Sequence, residues 1–176
     1  MKSKIMPSLV LTIICAVAAV LLVFSYELTK DRIAEQKQIR FNKSVTVLFG
    51  ETESTLLNEN FGEDSVQAIA VTSDGKTAIQ VAADGYSKGG INVLIGIDEN
   101  GAVTGIEFVY LGETPGLGTK IRDNDNFRQQ FYGASAPNVQ IDTISGATFS
   151  SKGLKTAVDT ALKVYTENKE AILNGK

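Results

Sequence analysis

Apolar and polar positions along the chain change rhythm several times, and each change predicts an element. From Ile5 to Tyr26 no side chain is charged and Leu, Ile, Val and Ala dominate, a run long enough for one helix to span a hydrocarbon core of about 30 Å. From Leu28 to Leu48 charged and apolar residues mix without Gly or Pro, so the helix is expected to continue out of the bilayer until Gly50 ends it. Thr52 to Ser65 is polar and reads as a connector or a short helix through Leu56 and Leu57. Beyond it, Ala68–Val71 and Ala78–Val81 flank the turn Ser73–Lys76, a hairpin by turn chemistry. Ile91–Ile97 and Val103–Tyr110 flank Asp98–Gly101, whose Asn100-Gly101 pair is the strongest turn dipeptide in the chain.

The remaining pattern is helical at both ends of a short extended piece. Phe127 and Phe131 lie one helical turn apart, which predicts a short helix within Asp123–Tyr132, and Val139–Ile144 alternates like a strand. Leu154, Ala157, Val158, Ala161, Leu162 and Tyr165 form one apolar stripe, so a final amphipathic helix starts at about Ser150 to Lys152. Taken together, the order predicts an α+β fold: an antiparallel sheet with packed helices, preceded by one N-terminal transmembrane helix. The expected domains are an anchor over 1–26, a helical connector over 27–65 and a single soluble domain over 66–176.

Composition narrows the chemistry. A net charge of −3 and few aromatic residues give no basic field for nucleic acid. The chain has no histidine, so His-based triads, bases and metal ligands are excluded. Its one cysteine, Cys15, lies in the apolar run, so neither an internal disulfide nor iron–sulfur ligation by this chain alone is available. No metal site is expected, and electron transfer would need an organic cofactor.

Lys2 and Lys4 before an apolar run containing Ala16-Val17-Ala18 also fit a cleavable signal peptide. Cleavage there would leave Val20–Phe24 as an exposed apolar stub, which favours an uncleaved anchor. Orientation is not decided by charge. Lys2 and Lys4 argue for a cytoplasmic N-terminus, whereas Lys30, Arg32, Lys37, Arg40 and Lys43 argue the opposite way.

Two motifs carry the candidate chemistry. The first is DxxSGAT, Asp142 to Thr148, opening directly onto the final helix. Helix N-termini present unpaired N–H donors and the positive end of the macrodipole, so a phosphate is favoured there, and Gly146 and Ala147 leave the Thr148 hydroxyl sterically open. The second is ETPGLGTK, Glu113 to Lys120, in which Pro115-Gly116 signals a turn and Gly118 permits close backbone approach. Gly85-Tyr86-Ser87-Lys88-Gly89-Gly90-Ile91 is a further glycine-rich turn between strands.

In these motifs and their order the chain resembles the FMN-binding domain shared by the G subunit of the Rnf complex and the C subunit of the sodium-pumping NADH:quinone oxidoreductase. The resemblance implies that residues 66–176 are an FMN-binding domain and that FMN is attached covalently, through a phosphoester to Thr148. Asp142 then matches the acidic position of the pattern read by a flavin transferase, and Ser145, Gly146 and Ala147 shape the acceptor turn. From the second motif, Thr114, Gly116, Leu117, Gly118 and Thr119 are expected to flank the isoalloxazine ring. Lys120 either offsets negative charge near the phosphate or is solvated, and Tyr86 packs beside the ring or within the sheet. Glu113 has two open roles, bonding a flavin edge or fixing the ETPGLG loop by accepting backbone N–H donors. Ser150 and Ser151 read as caps. Phe149, and Gly112 where the family pattern has a histidine, depart from it.

The short length favours the Rnf G subunit over the quinone-reductase C subunit. The implied function is an electron-transfer subunit of a membrane-bound ferredoxin:NAD+ oxidoreductase that moves Na+ or H+. No independent catalysis and no catalytic residue are expected. Partners would be the other membrane and peripheral subunits, membrane lipid and the flavin transferase, with the soluble domain outside the cytoplasmic membrane. A membrane-tethered flavin sensor outside any electron chain, and a structural subunit in which SGAT only caps a helix, are the alternatives.

Overall fold

The computed structural model describes residues 2–57 and 59–175, with side chains from Met6 onward. Lys2 and Lys4, on which the orientation argument partly rests, therefore lie outside the described side chains. The chain divides into two compact units, Met1–Arg40 and Phe41–Lys176. Helix α1 runs over Lys2–Phe49 and ends before Gly50, whose positive φ suits a residue without a side chain. Met6–Phe49 is long and apolar enough to cross a membrane. Its large apolar residues between Leu9 and Phe24 are exposed, as suits lipid contact and not a protein core.

The second unit is an α+β domain built on a five-stranded antiparallel meander, β1 (Ser54–Leu57), β2 (Val66–Thr72), β3 (Thr77–Ala83), β4 (Ile91–Ile97) and β5 (Val103–Leu111), in that spatial order. The two predicted hairpins are the β2–β3 and β4–β5 pairs. Two short helices follow, α2 (Lys120–Asp123) and α3 (Asp125–Gln129), and then the long α4 (Thr148–Asn174).

Both faces of the sheet are covered. On one, Leu154, Ala157, Val158, Ala161 and Leu162 of α4 pack with Ile69, Ile79, Val81, Ile95, Phe127 and Phe131 into the main core. On the other, Phe41 and Val45 from the last turns of α1 lie over Ala70, Ala78 and Leu94. Small residues make that second contact close: an added Cβ on Gly96 would stand 3.2 Å from the Phe49 ring, and one on Gly105 would stand 2.8 Å from Leu48. Burial on both sides explains why β3 is apolar along most of its length and does not alternate.

The local structure differs from the sequence expectation in four places. Residues 54–57 form β1 and not a loop or helix, because β2 offers a free edge and Ser54–Leu57 pair with Thr72–Ile69 along it. The expected helix around Phe127 is shorter, α3 alone, because the Asn124 side chain accepts the Phe127 N–H and caps its start. Residues 139–144 form no strand. Side chains take part of the local backbone instead: Asp159 accepts the Asn138 and Val139 N–H groups at 2.9 and 3.0 Å, and the Gln130 amide bonds both the N–H and the carbonyl of Asp142. Finally, α4 begins two residues earlier than the apolar stripe implies. Gly146, at φ +78°, completes the turn, and the Ser151 N–H bonds the Ala147 carbonyl at 2.8 Å.

Candidate functional site

The early start of α4 makes Thr148 the first residue of the helix, with Ala147 at the N-cap. Ala147 supplies no side-chain cap, so the N–H groups of the first turn keep the donors that an anion would use. Ala147 is buried while Thr148 and Phe149 are exposed, so the turn is anchored by one residue and presents the next two outward. Ser151 fastens the preceding loop, its hydroxyl accepting the Ile144 N–H at 3.1 Å and donating to the Ala147 carbonyl at 2.9 Å.

A cleft of about 290 Å³ opens at this helix end, lined by Tyr86, Glu113, Thr114, Leu117, Gly118 and the segment Gly146–Ser150. Both motifs and the glycine-rich loop after β3 therefore meet at one place, although 27 residues separate Tyr86 from Glu113 and 37 separate Glu113 from Ser150. The two motif loops lie close together, since a Cβ added to Gly146 would come within 3.9 Å of Leu117. Tyr86 and Phe149 form an edge-to-face pair with ring centroids 6.5 Å apart, and with Leu117 they give the cleft an exposed apolar wall.

Glu113 is the buried charge of this site. One carboxylate oxygen accepts the Tyr86 N–H at 3.1 Å and the Ser150 hydroxyl, and the other accepts the Ser87 N–H at 3.1 Å. Burial pushes its carboxyl up, but the hydrogen bonds from Ser150, Ser87 and Tyr86 outweigh that and hold it below the ordinary glutamate range. The room left by Gly118 is filled by Glu113 and Ser150.

The remaining sequence candidates stand around the cleft and do not line it. Gly116 takes a positive φ, and its N–H bonds the Thr119 hydroxyl at 2.9 Å; the Thr114 carbonyl accepts from Leu117 and Thr119, so the ETPGLG segment is a closed turn. Lys120 opens α2 and is exposed. Asp142 and Ser145 are exposed on the loop that leads into α4. Sequence reading assigned Ser150 a capping role and missed its bond to Glu113, for which no local signal exists. It also missed Gly153, where a Cβ would stand 2.3 Å from the Asp84 carbonyl oxygen, so only glycine lets α4 cross the end of β3 this closely.

Residues 85–163, which span every segment lining the cleft, match the FMN-binding domain family. Over 83% of this chain and 82% of its own length, the G subunit of the ion-translocating oxidoreductase complex of Shewanella baltica (strain OS223) is 31% identical. The chain belongs to this family of G subunits. Among its other relatives, the corresponding G subunit of Aliivibrio fischeri (strain MJ11) is 28% identical over 94% of this chain and 92% of its own. The G subunit of the Na(+)-translocating ferredoxin:NAD(+) oxidoreductase complex of Acetobacterium woodii is 33% identical over 52% of this chain and 49% of its own.

Proposed function

We propose that this chain is a membrane-anchored flavin subunit that relays electrons within an ion-translocating ferredoxin:NAD+ oxidoreductase, carrying an FMN joined to the Thr148 hydroxyl oxygen by a phosphoester. The observation that carries the reading is the meeting of both motifs at one cleft, with Thr148 at an uncapped helix start. The residues fit the group. First-turn N–H donors suit a phosphate, and Tyr86, Leu117 and Phe149 suit a flat ring. At about 290 Å³ the cleft falls just under the roughly 300–1,000 Å³ typical of ligand pockets, so a flavin held there would not be fully enclosed.

FMN supplies the capacity to take up and release one or two electrons. The chain's own residues then have holding roles: α4 presents the phosphate-bearing oxygen and its neighbouring donors, and the aromatic and Leu side chains exclude water from one part of the ring. Forming the ester from free FMN would release water and is unfavourable in solution. Attachment would need a transferase and a flavin nucleotide with a pyrophosphate bond, so that the Thr148 oxygen–phosphorus bond would form as that bond broke, with the hydroxyl proton and a nucleoside monophosphate leaving. A covalent link suits a domain outside the cytoplasmic membrane, where a lost flavin is not readily replaced. Asp142 and Ser145, exposed ahead of the acceptor, would be read by that transferase, while Lys120, Thr119 and Gly116 support the ETPGLG turn beside the ring.

The test is a denaturing gel of protein made together with a flavin transferase. Wild type should give a fluorescent band, Thr148→Val a dark one; equal darkness of the two would overturn the site. Loss of ferredoxin-linked NAD+ reduction on deleting the protein separates the relay from a flavin sensor. A single cysteine at exposed Thr156, in a Cys15→Ser background, should react with an impermeant thiol reagent in intact cells if the domain faces outward.

A further inference from the structure

We infer that Glu113 is a positioning residue, a buried peg that ties the Gly85–Gly90 loop, the ETPGLG loop and the first turn of α4 together and thereby fixes Tyr86 and Thr148 at the cleft they both line. The inference deepens the FMN reading of the cleft and rests on it for its consequence, though not for its geometry.

Three observations carry it. First, all three groups around the carboxylate donate to it: two backbone N–H groups from one loop and a hydroxyl from α4. The two N–H groups face different oxygens, so both oxygens must accept, which those of an ionised carboxylate do and the NH2 or OH of an amide or protonated acid does not. Second, three glycines on two loops surround it. An added Cβ would stand 2.6 Å from its oxygen at Gly85, 2.7 Å at Gly90 and 2.7 Å at Gly118. None of these three has a positive φ, so backbone conformation does not require glycine there. Room for the carboxylate does. Third, Ser150 lies two residues after Thr148 on the same helical turn, so fixing its hydroxyl fixes the acceptor oxygen's turn as one rigid piece. Engaged on both oxygens by protein donors, Glu113 holds the walls of the cleft.

The experiment uses the full-length protein in detergent, with and without flavin, as Glu113→Gln and Ser150→Ala. Without flavin, Glu113→Gln should speed hydrogen exchange of the Tyr86, Ser87 and Ser151 amides by at least about tenfold while leaving β3 and β4 protected, as expected of local and not global opening. Ser150→Ala, which leaves both N–H bonds in place, should speed Ser151 alone. With flavin, both variants should change the visible circular dichroism of the ring per bound flavin, a signature that a purely stabilising residue would not move. Exchange within twofold of wild type and an unchanged flavin spectrum would overturn the inference. If Glu113→Gln does not fold, Ser150→Ala decides by the same two readouts. Wild type without flavin would count against the proposed function and leave the exchange result to judge the peg.

Discussion

Asp74, in the turn between β2 and β3, and Glu113, at the cleft, are both held below the ordinary carboxylate range by hydrogen bonds, but those bonds reach very different distances along the chain. Asp74 is bonded by the Lys76 ammonium at 2.6 Å and the Thr72 hydroxyl at 2.5 Å, which lower its pKa to about 2. Both partners are two residues away, and the side chain remains 44% exposed. Glu113 is buried and bonded to partners 26, 27 and 37 residues away. The first carboxylate finishes a turn that its neighbours already specify. The second joins three segments that nothing local brings together, so the same kind of shift reports local chemistry in one region and tertiary assembly in the other.

The contrast can be broken most directly at Glu113. Glu113→Ala strands two N–H groups and a buried hydroxyl, so urea unfolding of the full-length protein in detergent should lose about 3 kcal/mol; a loss under about 1 kcal/mol would remove the distinction from Asp74. Next in size is Gly153→Ala, where a methyl would collide with the Asp84 carbonyl and cost about 1–3 kcal/mol by the same measurement. In the turn, Gly75→Ala places a side chain at φ +88° and should cost about 1 kcal/mol. Asp74→Asn should cost less than about 1 kcal/mol, because an exposed pair is screened by solvent.

Acid separates the two carboxylates further. Both folded-state values lie below the unfolded ones, so each contribution is present above the unfolded value, 4.5 for Glu113 and 3.8 for Asp74, and is lost as pH falls through the folded value. Stability of the wild type should therefore decline below about pH 4.5. Asp74→Asn should flatten only the lowest part of that decline, between pH 3.8 and about 2; an equal flattening from Asp74→Asn and Glu113→Gln would show that burial does not separate the two.

Much of the fold could be read from residues near one another. The uncharged run, the Asp98–Gly101 and Ser73–Lys76 turns, and the Leu154–Tyr165 stripe each depend on spacing within a few residues, and each appears in the structure as α1, the two hairpins and α4. The segments misread by pattern are those with a distant partner. Four residues at 54–57 show no decisive period and become a strand because the edge of β2 is open beside them. Residues 139–144 alternate, yet Asp159 and Gln130 take the bonds that a neighbouring strand would have made.

An apolar span, an antiparallel α+β domain, a glycine turn and a helix start open to a phosphate were all legible in the chain alone, because turn chemistry, helical period and capping are properties of adjacent residues. Only the tertiary structure decided that the two motifs share one cleft, that Thr148 begins α4, and that Glu113 lies caged by Gly85, Gly90 and Gly118. Hydrogen bonds and close approaches between distant segments depend on how elements pack against one another, and no local period along the chain records which groups that packing will bring face to face.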